Sequence, residues 1–325
     1  MKAYVYEDGH LALKNMPEPE VGVEEVLVSL RVAGLNRRDL HIPNRIGEGE
    51  EALVLGSDGA GVIEAVGTNV EHVTVGEEVI INPALRWDKN SEAPPETFDI
   101  LGMPDDGTLA EKIVIAADQV EKKPAHLSWE EAGVLALASL TGYRALFTKG
   151  QIKKGDTVFI PGAGSGVATY IIQFAKAAGA RVIVTSRSEG KRDQALKIGA
   201  DLAIDTASDW NEVLQGETVD LVIDSVGKAT FNRSLKVLKH GGKMVVFGAT
   251  TEDIVEVNIR EFFYGQYQLF GSTMGSREEF KALLAFMEKH QIHPVVGHTF
   301  KLDEVNDAFE FLRENKQFGK IAIQI

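Results

Sequence analysis

Hydrophobic positions follow two rhythms along the chain. Before residue 125 the apolar residues come in short runs, at 25–32, 61–66, 78–81 and 110–115, divided by glycine and proline. Short runs bounded by turn residues predict the strands of a β-rich domain. From residue 125 the pattern changes. Ser128-Trp129-Glu130-Glu131 spells a capping box and predicts a long helix running through Leu146. Strand and helix patterns then alternate, with strands at 181–184, 201–204, 219–224 and 243–247 and helices at 189–197 and 229–238. Near-continuous apolar strands separated by helical periods predict a parallel sheet covered on both faces. The fold class expected is α/β, with a doubly wound parallel sheet domain beside a β domain. The irregular stretch 86–102, with Pro94-Pro95, reads as a surface lobe.

One run carries the most chemical information. Val158-Phe159-Ile160-Pro161 leads through Gly162-Ala163-Gly164-Ser165-Gly166-Val167 into the helical pattern of Tyr170–Lys176. A strand, a glycine turn and a helix start are the parts of a dinucleotide-phosphate site: small residues admit the pyrophosphate and helical N–H groups face its charge. Ala163, Ser165, Gly166 and Val167 are the expected contacts. The run is not a literal G-x-G-x-x-G, since its glycines fall at 162, 164 and 166. Loops at 185–187, 225–227 and 248–250 follow the other strands, at the ends where such sheets bind ligands.

About 20 residues beyond such a turn, an acidic side chain takes the ribose hydroxyls of NAD, and neutral or basic ones admit the 2′-phosphate of NADP. Here the chain reads Thr185-Ser186-Arg187-Ser188-Glu189-Gly190-Lys191, and no carboxylate ends the strand. Ser186 supplies a hydrogen bond, and Arg187 and Lys191 supply positive charge. The expected cofactor is NADP.

Composition narrows the classes. The formal charge of −14 over 325 residues argues against nonspecific binding to nucleic acid or an anionic membrane. There is no cysteine, which excludes disulfides and thiolate metal sites. No stretch has the length and apolarity of a membrane span, and the opening residues lack a signal-peptide core, so a cytoplasmic location is the expectation.

Five segments, in order, resemble the medium-chain dehydrogenase/reductase superfamily: Gly34-Leu35-Asn36-Arg37-Arg38-Asp39-Leu40-His41, Leu55-Gly56-Ser57-Asp58-Gly59, Thr141-Gly142-Tyr143, the glycine turn, and Phe318-Gly319-Lys320. The resemblance implies a GroES-like domain, 1–124 completed by 272–325, and a Rossmann NADP-binding domain, 125–271. It also implies that Asn36 stands where zinc alcohol dehydrogenases carry a cysteine, Ser57-Asp58 where they carry His-Glu, and Leu137 at a third ligand position. The zinc-free branch, similar to quinone oxidoreductases, is therefore the better match, and no bound metal is expected; Asp39, His41 and Asp58 are the only residues left for a residual site.

That branch implies hydride transfer from NADPH to quinones or α,β-unsaturated carbonyl compounds. Asn36, Arg38 and His41 are then the candidate donors that replace a Lewis acid, set against the plainer readings of a turn residue, a partner for Asp39 and a packed imidazole. Further cofactor contacts implied are Thr141, Gly248, Ala249, Gly271, Ser272 and Lys320, the last reaching the phosphates. An edge strand near Tyr264 and Tyr267 implies a homodimer. An alcohol or aldehyde dehydrogenase of the same superfamily, and an NADPH-binding redox sensor without turnover, are the other readings.

Overall fold

A computed structural model describes residues 1–45 and 52–325, which divide into two compact units. One comprises Met1–Ala138 and Gly275–Ile325, the other Ser139–Met274.

Strand Glu25–Leu35 organises the first unit. It pairs antiparallel with Asp58–Val66, Lys112–Ala116 and Lys320–Gln324 within a seven-stranded sheet of the described residues. Val26, Val28 and Leu30 pack with Ile63, Val79 and Ile113 into one core, while Ala33 and Leu35 join Ile321 and Ile323 in another. Helix Val305–Arg313 covers that second core. Its buried residues Val305, Ala308, Phe309 and Leu312 recur at i, i+3, i+4 and i+7, the stripe that one helix face presents. The lobe at 86–102 is anchored by a short ribbon, Ala84–Leu85 against Asp99–Ile100, and by Trp87, which is buried with its ring edge-on to Phe98.

The helix expected from 128 to 146 starts where the capping box puts it, with Ser128 Oγ accepting from the Glu131 N–H. It does not run through. Trp129–Gly133 ends at Val134, whose backbone (φ −108°, ψ 5°) leaves the helical region, and Ala136–Tyr143 restarts before a π-helical turn at Arg144–Lys149. The first of these helices packs on strand Glu25–Leu35, so the first unit extends to Ala138, beyond the boundary expected at 124.

The second unit is a six-stranded parallel sheet whose spatial order is Leu202–Asp205, Arg181–Ser186, Thr157–Pro161, Val219–Asp224, Leu238–Val246 and Gln268–Gly271. This reversal of direction from the central strand is the doubly wound arrangement, and the crevice at the reversal lies beyond the carboxyl ends of Thr157–Pro161 and Val219–Asp224. Phe159, Ile183, Val222 and Met244 form its core. Helix Glu189–Lys197 occupies its expected span; strand Leu238–Val246 begins five residues before the expected 243. None of the described helices is long and apolar enough to cross a membrane.

Candidate functional site

Strand pairing brings the polar residues of the first unit together. Gly34 pairs with Asp58 and Leu35 with Ile321, so Asn36, Asp58 and Lys320 meet at one end of the sheet. The Lys320 ammonium donates to the Leu35 carbonyl at 2.9 Å, Asn36 Oδ1 at 2.5 Å and Asp58 Oδ2 at 2.9 Å. Asn36 Nδ2 donates to the same Asp58 oxygen at 2.9 Å, and the Leu137 N–H donates to the other at 2.7 Å. Lys320 is 3% exposed and Asp58 0%. Desolvating such a pair is costly, and the cost is offset here because further hydrogen bonds satisfy both ions.

Beside this cluster, the turn Arg37–Leu40 holds three of the chemically interesting side chains. Asp39 is fully buried, with one oxygen accepting from the Asn36 N–H at 2.8 Å and the other without a hydrogen-bond partner among the described residues. Burial pushes its carboxyl up from 3.8 to about 6, against the opposing pull of the Asn36 N–H, Arg38 and Lys320. Arg38 Nη1 donates to Ser57 Oγ at 2.7 Å and to the Leu101 carbonyl at 2.8 Å. Both acceptors are neutral. Burial is the main influence on the guanidinium and lowers its pKa, while Asp39 and Asp58 raise it. His41 ends the turn and is exposed, so it is not the packed imidazole of the plainer reading.

Lys320 corrects an expectation. Its Nζ has three acceptors inside the first unit and is buried, so it is not placed to meet nucleotide phosphates. A zinc ion does not fit either. An ammonium already engages Asp58, Ser57 donates to the Leu101 carbonyl at 2.7 Å, and Leu137 brings no side-chain ligand. Asp39, His41 and Asp58 do not gather into a ligand set, and no group of three His, Cys, Asp or Glu that could hold a metal occurs among the described residues.

In the second unit the glycine turn has the form that a nucleotide phosphate requires. Gly162 takes φ +80°, and the N–H groups of Gly162 and Ala163 bond to the Thr185 carbonyl, tying the turn to the next strand. Ser165 caps helix Gly166–Ala177 by accepting from the Ala168 N–H at 3.1 Å, and the first helical N–H groups, of Gly166 and Val167, are left for a ligand. A Cβ on Gly164 would lie 2.6 Å from Lys191 Cδ, so the lysine stem crosses directly over the turn. Burial, then Arg187, lowers the Lys191 pKa. Ser186 is buried at the strand end and accepts from the Ser188 N–H; Arg187 is exposed. Arg192 bonds the Ser186 carbonyl and Asp205.

Gly248 and Ala249 lie against the loop after Val219–Asp224, where Asp224 accepts from the Val226 and Gly227 N–H groups and fixes the loop. Thr141 Oγ1 reaches Met274 Sδ at 3.6 Å. Gly271 ends the edge strand, and the Ser272 hydroxyl is buried without a hydrogen-bond partner among the described residues. An orphaned hydroxyl, unfilled helix N–H groups and a lysine over the turn are donor chemistry that fits a dinucleotide.

Two family models match the chain: the alcohol dehydrogenase GroES-like domain over residues 22–125 and the zinc-binding dehydrogenase over residues 166–289. A zinc-type alcohol dehydrogenase-like protein of Leptosphaeria maculans is 31% identical, across 97% of this chain and 94% of that one. The chain belongs to the medium-chain dehydrogenase/reductase superfamily. A crystal structure of an NAD-dependent alcohol dehydrogenase matches this medium-chain dehydrogenase/reductase with a TM-score of 0.92 and 33% identity, each chain covered completely. The 2-octenoyl-CoA carboxylase reductase CinF, solved with NADP and 2-octenoyl-CoA, matches with a TM-score of 0.89 and 26% identity over 99% of this chain and 87% of that one. The relatives' names describe oxidoreductases, and an oxidoreductase with a GroES-like domain and a Rossmann-like sheet is what this superfamily member is.

Two parts of the site lay outside the sequence expectations. Ser57 and the Leu101 carbonyl hold Arg38, and Lys320 closes the Asn36–Asp58 pair. The register that joins residue 320 to residues 35 and 58 is a long-range property that no local pattern encodes.

Proposed function

We propose that this chain is a zinc-independent, NADPH-dependent oxidoreductase that reduces α,β-unsaturated carbonyl compounds or quinones. The observation that carries the reading is the closed Lys320–Asp58–Asn36 cluster, in which a lysine ammonium engages Asn36 and Asp58, the residues that the family resemblance sets at metal-ligand positions. The similarity to a reductase solved with NADP and an enoyl thioester supports the choice of acceptor. In the second unit, Ser186, Arg187 and Lys191 hold the 2′-phosphate, Gly166 and Val167 the pyrophosphate, and Thr141, Ser272 and the Gly248-Ala249 loop the nicotinamide riboside.

The bound nicotinamide supplies a hydride. The first unit's task is to stabilise the negative charge that reaches the acceptor oxygen, and Arg38 has donors for it: Nε and Nη2 make no hydrogen bond among the described residues, while Nη1 fixes the guanidinium plane. Asn36, locked at both ends of its amide by Lys320 and Asp58, orients the turn that carries Arg38. His41, exposed at the end of that turn, delivers the proton that balances the transfer, at the α-carbon of an enone or an oxygen of a quinone. One NADPH and one proton are consumed for each double bond or quinone reduced.

The decisive assay is oxidation of NADPH and NADH by chelator-treated protein with trans-2-hexenal, a trans-2-enoyl thioester and 1,4-benzoquinone. Acceptor-dependent NADPH turnover that survives chelation is expected. Turnover that disappears with chelator and returns with Zn²⁺ would replace this reading with a metal-dependent alcohol dehydrogenase.

A further inference from the structure

A cavity of about 310 Å³ opens in the first unit between the Arg37–Leu40 turn and the lobe. That volume is at the low end for small-molecule sites. Phe98, Ile100, Met103 and Pro104 give it an apolar lining, and Arg38 and Arg45 line it as well. Two like charges facing one small cavity repel each other, and Arg45 is among the groups that lower the Arg38 pKa. Such an arrangement is relieved by an anion.

The charges already present do not provide it. Asp99 also lines the cavity, but its carboxylate is taken by Arg86 at 2.5 Å, and the same guanidinium reaches Asp105 at 3.3 Å. Asp58 is matched by Lys320. Asp39 is the remaining acid acting on Arg38, and it is fully buried with its bonded oxygen turned to the Asn36 N–H. Among the described residues, neither Arg38 nor Arg45 forms an ion pair within 4.0 Å. Arg38 is held by neutral groups, Ser57 Oγ and the Leu101 carbonyl, which aim it without consuming its charge.

We infer that this cavity is a binding subsite for a carboxylate carried on an apolar or aromatic body, its oxygens between Arg38 and Arg45 and its body against Phe98, Ile100, Met103 and Pro104. A guanidinium with two unfilled N–H groups matches the paired oxygens of a carboxylate. The apolar lining favours an apolar body over a free inorganic ion. The subsite draws on the same Arg38 N–H groups that the proposed reduction uses, and because occupancy is measured without turnover, its failure and the failure of that reading are distinguishable.

Isothermal titration of the full chain with trans-cinnamate, with trans-cinnamamide and with inorganic phosphate tests it. Cinnamate is expected to bind one molecule per chain, the neutral amide at least about tenfold more weakly, and Arg45→Gln is expected to lower cinnamate affinity by about tenfold, in line with loss of a charge-assisted contact. Arg45 is exposed, so the variant should keep its fold, with an unchanged thermal midpoint as the check. Equal binding of acid and amide, undiminished binding by Arg45→Gln, or binding of phosphate without cinnamate would each overturn the assignment.

Discussion

The Lys320 ammonium lies 2.9 Å from the Asp58 carboxylate, and neither group is exposed to solvent by more than a few per cent. Removing either partner leaves an ion buried without its counter-charge, whereas removing both leaves groups that hydrogen bonds can satisfy. Lys320→Met is therefore expected to destabilise the protein by about 3–5 kcal/mol, and Lys320→Met with Asp58→Asn to recover a large part of that loss. Urea unfolding of the two single variants and the double variant measures the coupling. Additive losses would mean that the pair contributes packing alone.

Asp39 gives stability a pH dependence of definite sign. Its carboxyl titrates near 3.8 in an unfolded chain and near 6 in the fold, so between those values the folded protein holds a proton that the unfolded chain has released. Stability contributed by this group is full below about pH 4 and falls as pH rises through 6, by about 3 kcal/mol in all. Asp39→Asn keeps an acceptor for the Asn36 N–H and removes the titration. The urea midpoint of the variant should lose that component between pH 4 and pH 7; an unchanged slope would show that Asp39 is ionised throughout.

Cofactor choice is expected to rest on Arg187 more than on Arg192. Arg187 is exposed beyond the strand end, while Arg192 is already bonded to the Ser186 carbonyl and Asp205. Arg187→Ala should raise the KM for NADPH about tenfold and leave that for NADH nearly unchanged, since only the former carries the 2′-phosphate. Equal effects on the two cofactors would place the phosphate elsewhere.

Strand Gln268–Gly271 lies at one edge of the parallel sheet, with Leu269, Phe263 and Tyr264 exposed beside it. An open edge flanked by large apolar side chains favours pairing with a second copy about a twofold axis. Leu269→Glu is expected to shift a homodimer to monomer in light-scattering chromatography without lowering the thermal midpoint of the sheet. A wild-type chain already monomeric at micromolar concentration would remove the expectation.

The alternation of strands and helices after residue 150 was legible because each element there is local: a buried parallel strand is an apolar run, and the helices at Gly166–Ala177 and Glu189–Lys197 carry their own caps, Ser165 and Ser188. The break at Val134 was not. A capping box announces only where a helix starts, and the end of this one is set by packing against a strand a hundred residues earlier in sequence. The phosphate-side contacts follow the same division. Ser186, Arg187 and Lys191 fall within six residues of one strand end, so spacing sufficed to nominate them. Lys320 could be nominated but not placed, because its partners, Leu35 and Asn36 on one side and Asp58 on the other, come from two stretches more than 260 residues earlier in the chain.

The strand that carries Lys320 also governs the order in which the molecule can be assembled. Residues 139–274 form an uninterrupted stretch and contain all six strands of their sheet, so that unit has everything it needs once it has left the ribosome. The first unit does not. Strand Glu25–Leu35 waits with one edge unfilled, and Asp58 without its cation, until residues 320–324 have been synthesised and inserted between Glu25–Leu35 and Val296–Lys301. The earliest residues made are thus among the last to reach their final structure, and the buried charge that completes the site arrives with the strand that closes the sheet.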